Sequence, residues 1–182
     1  MSNPLFVKAR SRLILDNPFF GTLCLRLKPV EWEDETGATD GVHLFYNPKW
    51  FEKLTDMERI GFLAHEVMHV VLLHITRRNE RHATKWNVAC DYAINNYLIT
   101  EGFILPKGGL VDSQYDDMTA EAIYSILPEP PQGWDGVSVD FGKCGGVLDH
   151  PASDGTSGKT SAIEANLTVA IHQAAEAAKA QG

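Results

Sequence analysis

The sequence predicts a mainly helical α+β fold that includes a small sheet. A long apolar helix that begins at a capping box, a second apolar helix soon after it and an Ala-rich helix near the end predict the helical part. Two short runs rich in strand-forming residues, both before the long helix, predict the sheet. The length of 182 residues and the hydrophobic fraction of 44% are typical of one domain with a buried core.

The helices are predicted from apolar spacing and from cap residues. Residues 4–16 carry apolar side chains four positions apart, which indicates an amphipathic helix. The central helix begins at Thr55, where the sequence Thr55-Asp56-Met57-Glu58 forms a capping box. Its apolar run predicts a buried helix that continues unbroken to Arg77. Further helices are predicted from about residue 85 to 99, from Thr119 to about residue 127, and over residues 161–181.

Two strands are predicted before the central helix. Residues 19–30 alternate apolar and basic side chains, and residues 42–46 are closed by the turn signal Asn47-Pro48. The proline just past its end indicates that the second run is an edge strand. We expect three parts along the chain: a core over residues 1–127, an irregular Gly- and Pro-rich segment over 128–160, and a C-terminal Ala-rich helix over 161–182 that packs on the core.

Composition and charge exclude several classes of function. The chain has 16 Lys and Arg residues against 24 Asp and Glu, a net charge of −8, so it lacks the basic surface that nucleic acids and anionic membranes require. No apolar run approaches the length of a membrane-spanning helix, and charges near the N-terminus argue against a signal peptide. Cys24, Cys90 and Cys144 form neither a disulfide framework nor a Cys-x-x-Cys metal site. We therefore expect a cytoplasmic, reduced protein with no nucleic-acid or membrane partner.

The middle of the central helix holds His65-Glu66-Val67-Met68-His69, an H-E-x-x-H motif. Histidines four residues apart lie on one face of a helix, where both imidazoles can bind one metal ion. Glu66 lies beside that face and can take a proton from a water that the metal activates. The alternative is that both histidines are hydrogen-bonded core residues and Glu66 points to solvent. Three ionisable groups in an apolar helix favour the metal site, because each would otherwise suffer a large desolvation cost.

A hydrolytic zinc site needs a third protein ligand and one open position for water. On an unbroken helix, His74 would lie on the face opposite His65, so its side chain is not expected to reach the metal. His82 follows the end of the helix and is also a poor candidate.

Asp91 is the better candidate for the third ligand. It comes level with His69 if the two apolar helices form an antiparallel hairpin with a short loop. Asn87 and Asn95 flank it at i−4 and i+4 and are candidates to orient the carboxylate. The alternatives are an acid that interacts with the helix dipole, or a buried carboxylate bonded to the two asparagines. An unpaired buried carboxylate is costly, which favours the metal ligand.

Three segments together resemble a known family: TDGVHLFYNP at 39–48, LAHEVMHVVLLH at 63–74 and WNVACDYAINNYLI at 86–99. They are similar to the metallopeptidase domain that occurs with a von Willebrand factor A-like domain in bacterial and phage proteins. More distantly they resemble the zincin metalloproteases. The resemblance covers most of the chain.

The resemblance implies a zincin-like fold and one zinc ion bound by His65, His69 and Asp91, with Glu66 as the general base. It also implies that the strand before the metal helix lines the cleft and pairs with an extended substrate. That substrate-binding role falls on His43, Leu44, Phe45 and Tyr46.

The resulting hypothesis is a zinc-dependent peptidase that acts on a peptide or protein substrate. The donor set leaves the metal open, because two imidazoles and a carboxylate also bind iron, manganese or cobalt. One alternative is a catalytically silent, metal-stabilised interaction module that acts with a von Willebrand factor A-like partner or domain. Another is a non-proteolytic metal hydrolase. The donor to the oxyanion also stays open among Tyr46, Tyr92, Tyr97 and His43.

The Gly- and Pro-rich segment adds one regulatory hypothesis. Lys143-Cys144-Gly145-Gly146 has a faint likeness to the cysteine-switch sequence of latent matrix metalloproteases. A Cys144 thiolate on the fourth metal position would exclude water and silence the site. The alternative is an incidental cysteine in a loop.

Overall fold

The computed structural model describes residues 3–33, 36–129, 147–150 and 157–180. Within these ranges the chain is mainly helical and contains one small sheet, as predicted. None of the helices in these ranges is long and apolar enough to cross a membrane. The α-helices are α1 Pro4–Asp16, α2 Pro18–Arg26, α3 Pro48–Lys53, α4 Asp56–Val71, α5 His74–Arg77, α6 Ala83–Thr100, α7 Ala120–Ile126 and α8 Ser157–Lys179. The strands are β1 Lys28–Glu31, β2 Gly37–Thr39 and β3 His43–Tyr46, and Ser113–Tyr115 form a 3₁₀ helix.

The sheet is mixed, with its three strands in the order β1-β3-β2. β3 pairs in parallel with β1 and in antiparallel with β2. The prediction of an edge strand at residues 42–46 is therefore wrong, because β3 is the central strand. Pro48 does not interrupt the pairing, since it lies past the strand as the first residue of α3. Asn47 caps that helix by accepting a hydrogen bond from the backbone N–H of Trp50 at 3.1 Å.

Helix α2 replaces most of the strand predicted over residues 19–30, and only β1 at its end is extended. Pro18 stands at the start of α2, and the helix folds back against α1 through the single residue Asn17. The two helices approach closely at Gly21, where a Cβ atom would lie 2.3 Å from the Cα of Ile14. Packing between the helices therefore outweighs the alternating pattern, whose preference for a strand depends strongly on context.

The two helices that carry the H-E-x-x-H motif and Asp91 begin close to their predicted starts. At α4 the capping box is confirmed: the Thr55 side chain accepts from the Glu58 N–H, and the Glu58 carboxylate accepts from the Thr55 N–H. Helix α6 begins at Ala83, two residues before the predicted start. His82 is the N-cap of this helix, and its imidazole accepts a hydrogen bond from the backbone N–H of Lys85. The His82 side chain is therefore engaged at the helix end.

Helix α4 ends earlier than predicted. Instead of continuing to Arg77, the helix stops at Val71, because Leu73 adopts a left-handed conformation with φ of +54°. Such a conformation costs a non-glycine residue on the order of 1 kcal/mol. The break is stabilised by a 2.7 Å hydrogen bond from the Arg77 guanidinium to the carbonyl of Leu72. A new short helix, α5, then begins at His74.

The C-terminal helix packs against the main core. Helix α8 begins at Ser157, four residues before the predicted start, and contacts α2, α4 and α5. Its buried side chains join the core cluster that α1, α4 and the sheet also supply. These side chains are Ile163, Leu167, Ala170 and Ala174.

Gly61→Ala is expected to destabilise the protein by roughly 1–3 kcal/mol. The backbone after α6 lies directly against this glycine: a Cβ at position 61 would lie 2.2 Å from the carbonyl oxygen of Ile104. The segment around Ile104 would have to move. Chemical denaturation measures the effect, and Met57→Ala, at a half-exposed position of the same helix, is the control. An unchanged free energy of unfolding for Gly61→Ala would contradict this close approach.

Candidate metal centre

Helix α4 places the H-E-x-x-H residues in the interior of the protein. His65, Glu66 and His69 are 1%, 0% and 0% exposed. The two imidazoles converge through their Nε2 atoms, which lie 3.0 Å apart. Glu66 does not point to solvent, so that part of the core-histidine alternative is wrong.

Helix α6 packs against α4 and brings Asp91 to the same point. Its Oδ1 lies 3.6 Å from His65 Nε2 and 3.5 Å from His69 Nε2, and the residue is 3% exposed. We call His65, His69 and Asp91 the candidate metal centre. The hairpin geometry predicted from the two apolar helices thus brings the third residue together with the first two.

The donor atoms of the candidate metal centre fit a divalent metal ion. Ligands at about 2.0–2.1 Å around a tetrahedral zinc ion stand about 3.3 Å from one another, close to the separations of 3.0–3.6 Å here. Asp91 Oδ1 is buried and has no hydrogen-bond partner among the described residues. A carboxylate oxygen left in this state is costly unless a cation balances it. Two imidazoles and a carboxylate are ligands that zinc accepts.

Glu66 stands beside this donor set without a partner of its own. Both of its carboxylate oxygens are buried and accept no hydrogen bond from the described residues. Burial raises the pKa of Glu66 well above its ordinary value, and the nearby charge of Asp91 raises that pKa further. A cation at the centre would act in the opposite direction and favour the charged carboxylate.

The His69 imidazole is in the form that a metal needs, and a hydrogen bond orients the His65 ring. Burial lowers the pKa of His69 to about 4, and the neighbouring His65 lowers it too, so the imidazole is uncharged at neutral pH. His65 Nδ1 lies 2.8 Å from the Oδ1 of Asn95. The Asn95 amide is oriented in turn by a 3.0 Å hydrogen bond from its Nδ2 to the carbonyl of Leu110.

The two asparagines that were predicted to orient Asp91 have different environments. Asn95 contacts His65 rather than Asp91, and the structure gives it a hydrogen-bonded place in the site. Asn87 is half-buried and makes no side-chain hydrogen bond to the residues that the structure describes. Its role in orienting Asp91 stays a prediction.

His74 and Cys90 lie on the far side of His69, and sequence reasoning did not assign them to the site. His74 Nδ1 is 3.2 Å from His69 Nδ1, and the ligand atoms of His69, His74 and Cys90 all lie within 4.8 Å of one another. That the His74 side chain does not reach the metal stays a prediction, but its premise of an unbroken helix to Arg77 is wrong. The break at Leu73 turns His74 back onto the second nitrogen of His69.

The predicted substrate strand has a different environment from the one expected. The backbone of β3 is paired on both sides, so an extended substrate cannot add to it as an edge strand. Two of its side chains are engaged elsewhere: His43 Nδ1 lies 2.8 Å from Asp40 Oδ2, and the Tyr46 hydroxyl donates to Glu31 at 3.3 Å. Leu44 is fully buried and Phe45 partly buried, with Phe45 against Trp32.

Cys144 and most of the Gly- and Pro-rich segment lie outside the described residues. The cysteine-switch hypothesis therefore stays a prediction.

Comparison with known proteins agrees with the geometry of the site. An uncharacterized protein of Thermotoga maritima is 33% identical over 99 residues, which make up 50% of this chain and 25% of that protein. The chain thus spans about a quarter of the length of this relative. No solved structure matches the chain. The model of a family described as "putative metallopeptidase domain" matches residues 5–182, and the chain therefore belongs to this metallopeptidase-domain family.

Proposed function

We propose that the protein is a zinc-dependent peptidase of zincin-like design that hydrolyses peptide bonds at the candidate metal centre. The observation that carries this proposal is the convergence of three metal-donor atoms, among them the unsatisfied Oδ1 of Asp91, beside a buried Glu66 whose carboxylate accepts no hydrogen bond from the described residues. A site that only binds a metal needs the three ligands and has no use for a fourth ionisable group held at such a desolvation cost.

His65, His69 and Asp91 would hold the ion through two Nε2 atoms and one carboxylate oxygen. A bound zinc ion would act as a Lewis acid that polarises the scissile carbonyl and lowers the pKa of water at its open position. Asn95 fixes the His65 ring by accepting from its Nδ1, which leaves Nε2 free to bind.

Glu66 would move the proton. Its carboxylate takes a proton from the attacking water and later delivers that proton to the nitrogen of the leaving amine. The burial that raises the pKa of Glu66 makes its carboxylate a stronger base, and the charge of a bound cation would keep that carboxylate ionised.

The second candidate function is a metal-stabilised module without activity that binds a partner protein. The observation that favours it is the burial of the whole site, since its four residues are at most 3% exposed. Structural zinc sites are closed, whereas catalytic sites keep a position open to substrate. Glu66 speaks against this candidate, because a closed structural site gains nothing from it.

The peptidase proposal is tested by incubating the zinc-reconstituted full chain with a mixed peptide library and identifying new termini by mass spectrometry. We expect cleavage that a chelator stops and added zinc restores. Zinc-loaded protein that cleaves no peptide would overturn the proposal and favour the interaction module. Cleavage of small esters or amides alone would indicate a non-proteolytic hydrolase.

A further inference from the structure

We propose that His74 is a positioning residue that fixes the tautomer and the orientation of His69 for metal binding. In this arrangement the Nδ1–H of His69 donates a hydrogen bond to the Nδ1 of His74. The inference rests on the metal site proposed above and extends it to a residue outside the H-E-x-x-H motif.

The rings of His69 and His74 are in contact. Their Nδ1 atoms are 3.2 Å apart, and the residues are 0% and 1% exposed, so no bulk water competes for either atom. At this separation, and with no cation between them, one nitrogen carries a hydrogen and the other accepts it. A neutral imidazole has one N–H, so the choice made at Nδ1 decides the state of Nε2.

The choice of donor at this contact decides whether Nε2 of His69 can bind a metal. If His69 donates from Nδ1, its Nε2 keeps a lone pair that points at the candidate metal centre. If His74 donates instead, the proton of His69 sits on Nε2, and that atom cannot bind a metal. An acceptor at His74 Nδ1 therefore selects the tautomer of His69 that binds.

The other ligand histidine, His65, has the same arrangement. His65 also turns Nε2 to the centre and places Nδ1 on a buried acceptor, the Oδ1 of Asn95 at 2.8 Å. Ligand histidines in metal sites generally give their second N–H to such a partner. His74 is thus the buried hydrogen-bond acceptor for Nδ1 of His69, as Asn95 is for Nδ1 of His65.

The fold holds His74 in place against His69. Leu73 adopts the left-handed conformation that ends α4 and directs His74 back toward His69. Trp86 of α6 then anchors the residue, since its indole N–H donates to the His74 carbonyl at 3.1 Å. The His74 ring also packs edge-on against the Trp86 ring, with centroids 5.8 Å apart.

The neighbouring Cys90 raises a competing arrangement, in which a second ion is bound by His69, His74 and Cys90. That arrangement requires His69 to bind two metal ions at once through both ring nitrogens, and so to lose its last N–H. The hydrogen bond needs no second cation and satisfies both buried nitrogens with one proton. We therefore infer that His69 and His74 form a hydrogen bond rather than part of a second metal site.

The test measures zinc affinity by competition with a chromophoric chelator for wild type, His74→Leu, His74→Asn and Cys90→Ala. We expect His74→Leu to weaken binding by about 10–100-fold, the usual effect of removing such a partner. His74→Asn should recover most of the affinity, because its amide oxygen can accept at nearly the position of Nδ1. Cys90→Ala should bind one zinc with wild-type affinity.

Two spectroscopic readouts make the test independent of enzyme activity, and the second of them, measured on wild type, is also independent of the folding of any variant. The absorption spectrum of the cobalt-substituted protein should change in His74→Leu and return in His74→Asn. In zinc-loaded wild type labelled with ¹⁵N-histidine, NMR should show His69 protonated at Nδ1 and His74 unprotonated at Nδ1.

Several results would overturn the inference. One is a His74→Leu variant with the zinc affinity and the cobalt spectrum of the wild type. Another is a His74→Asn variant whose zinc affinity does not recover. A third is a wild type that binds two ions per chain, one of which is lost in Cys90→Ala. A wild-type protein that binds no zinc would overturn the metal site itself, which is a separate failure from His74 having no effect on a site that does bind.

Discussion

Glu66→Gln is expected to lower the rate of peptide hydrolysis by about 10²–10⁴-fold while leaving the bound metal in place. The amide keeps the size of the side chain but cannot take the proton of the attacking water. It also leaves the ligands His65, His69 and Asp91 unchanged. Peptide cleavage and metal content per chain, measured on the same preparation, check both parts of this prediction.

The matched control is Glu52→Gln, which makes the same change at an exposed position of α3. It should leave both the cleavage rate and the metal content unaltered. Hydrolysis at the wild-type rate by Glu66→Gln would show that another group acts as the base. Loss of the metal in that variant would instead make Glu66 part of the metal-binding set.

Glu66→Gln is also expected to change how the free energy of unfolding of the metal-free protein depends on pH. Because burial and Asp91 raise the pKa of Glu66 in the folded state, the unfolded carboxyl ionises first as the pH rises above about 4.5. The wild type therefore loses stability from that pH up to the folded pKa, and Glu66→Gln does not. The free energy of unfolding of the variant minus that of the wild type should therefore increase with pH from about 4.5 up to the folded pKa and stay constant below about pH 4. A gap that stays constant with pH would contradict this assignment.

Asp91→Ala is expected to lower zinc affinity by more than about 100-fold, beyond the usual effect of a residue that only supports a ligand. It removes one of the three donors and the only carboxylate among them, so two neutral imidazoles remain to hold a dication. The stabilisation of the folded protein by zinc should disappear with it, about 2.7 kcal/mol when free zinc stands 100-fold above the dissociation constant. Thermal unfolding with and without zinc measures this loss.

The control for Asp91→Ala is Glu101→Ala, which removes an exposed acid at the end of the same helix. It should keep wild-type affinity and the full stabilisation by zinc. Zinc binding of wild-type strength in Asp91→Ala would show that the third ligand lies elsewhere, and His65 and His69 would then need another partner.

Sequence reasoning predicted the parts of the site that depend on local geometry. The capping box at Thr55 fixes the start of α4, and the four-residue spacing of His65 and His69 follows from the helix period. Asp91 could be placed because two long apolar helices with a short connection pack against each other. Each of these inferences needs only the sequence of one or two elements.

Features that depend on tertiary contacts could not be predicted in the same way. Alternating residues suggested a strand where α2 packs on α1 at Gly21, and no glycine or proline marks the break at Leu73. That break is stabilised by Arg77 and Trp86, which contact it from outside the turn. Because the contact of His74 with His69 depends on the break, it could not be found from helical spacing either.

The central claim is that His65, His69 and Asp91 form one metal site, and metal analysis of the purified protein tests it most directly. The full chain is prepared without added metal, and its metal content per chain is measured before and after equilibration with zinc and removal of the excess. We predict one zinc ion per chain in the wild type and a clear loss in Asp91→Ala. A wild type that holds no metal even after zinc is supplied would contradict the claim and leave the motif as a cluster of buried core residues.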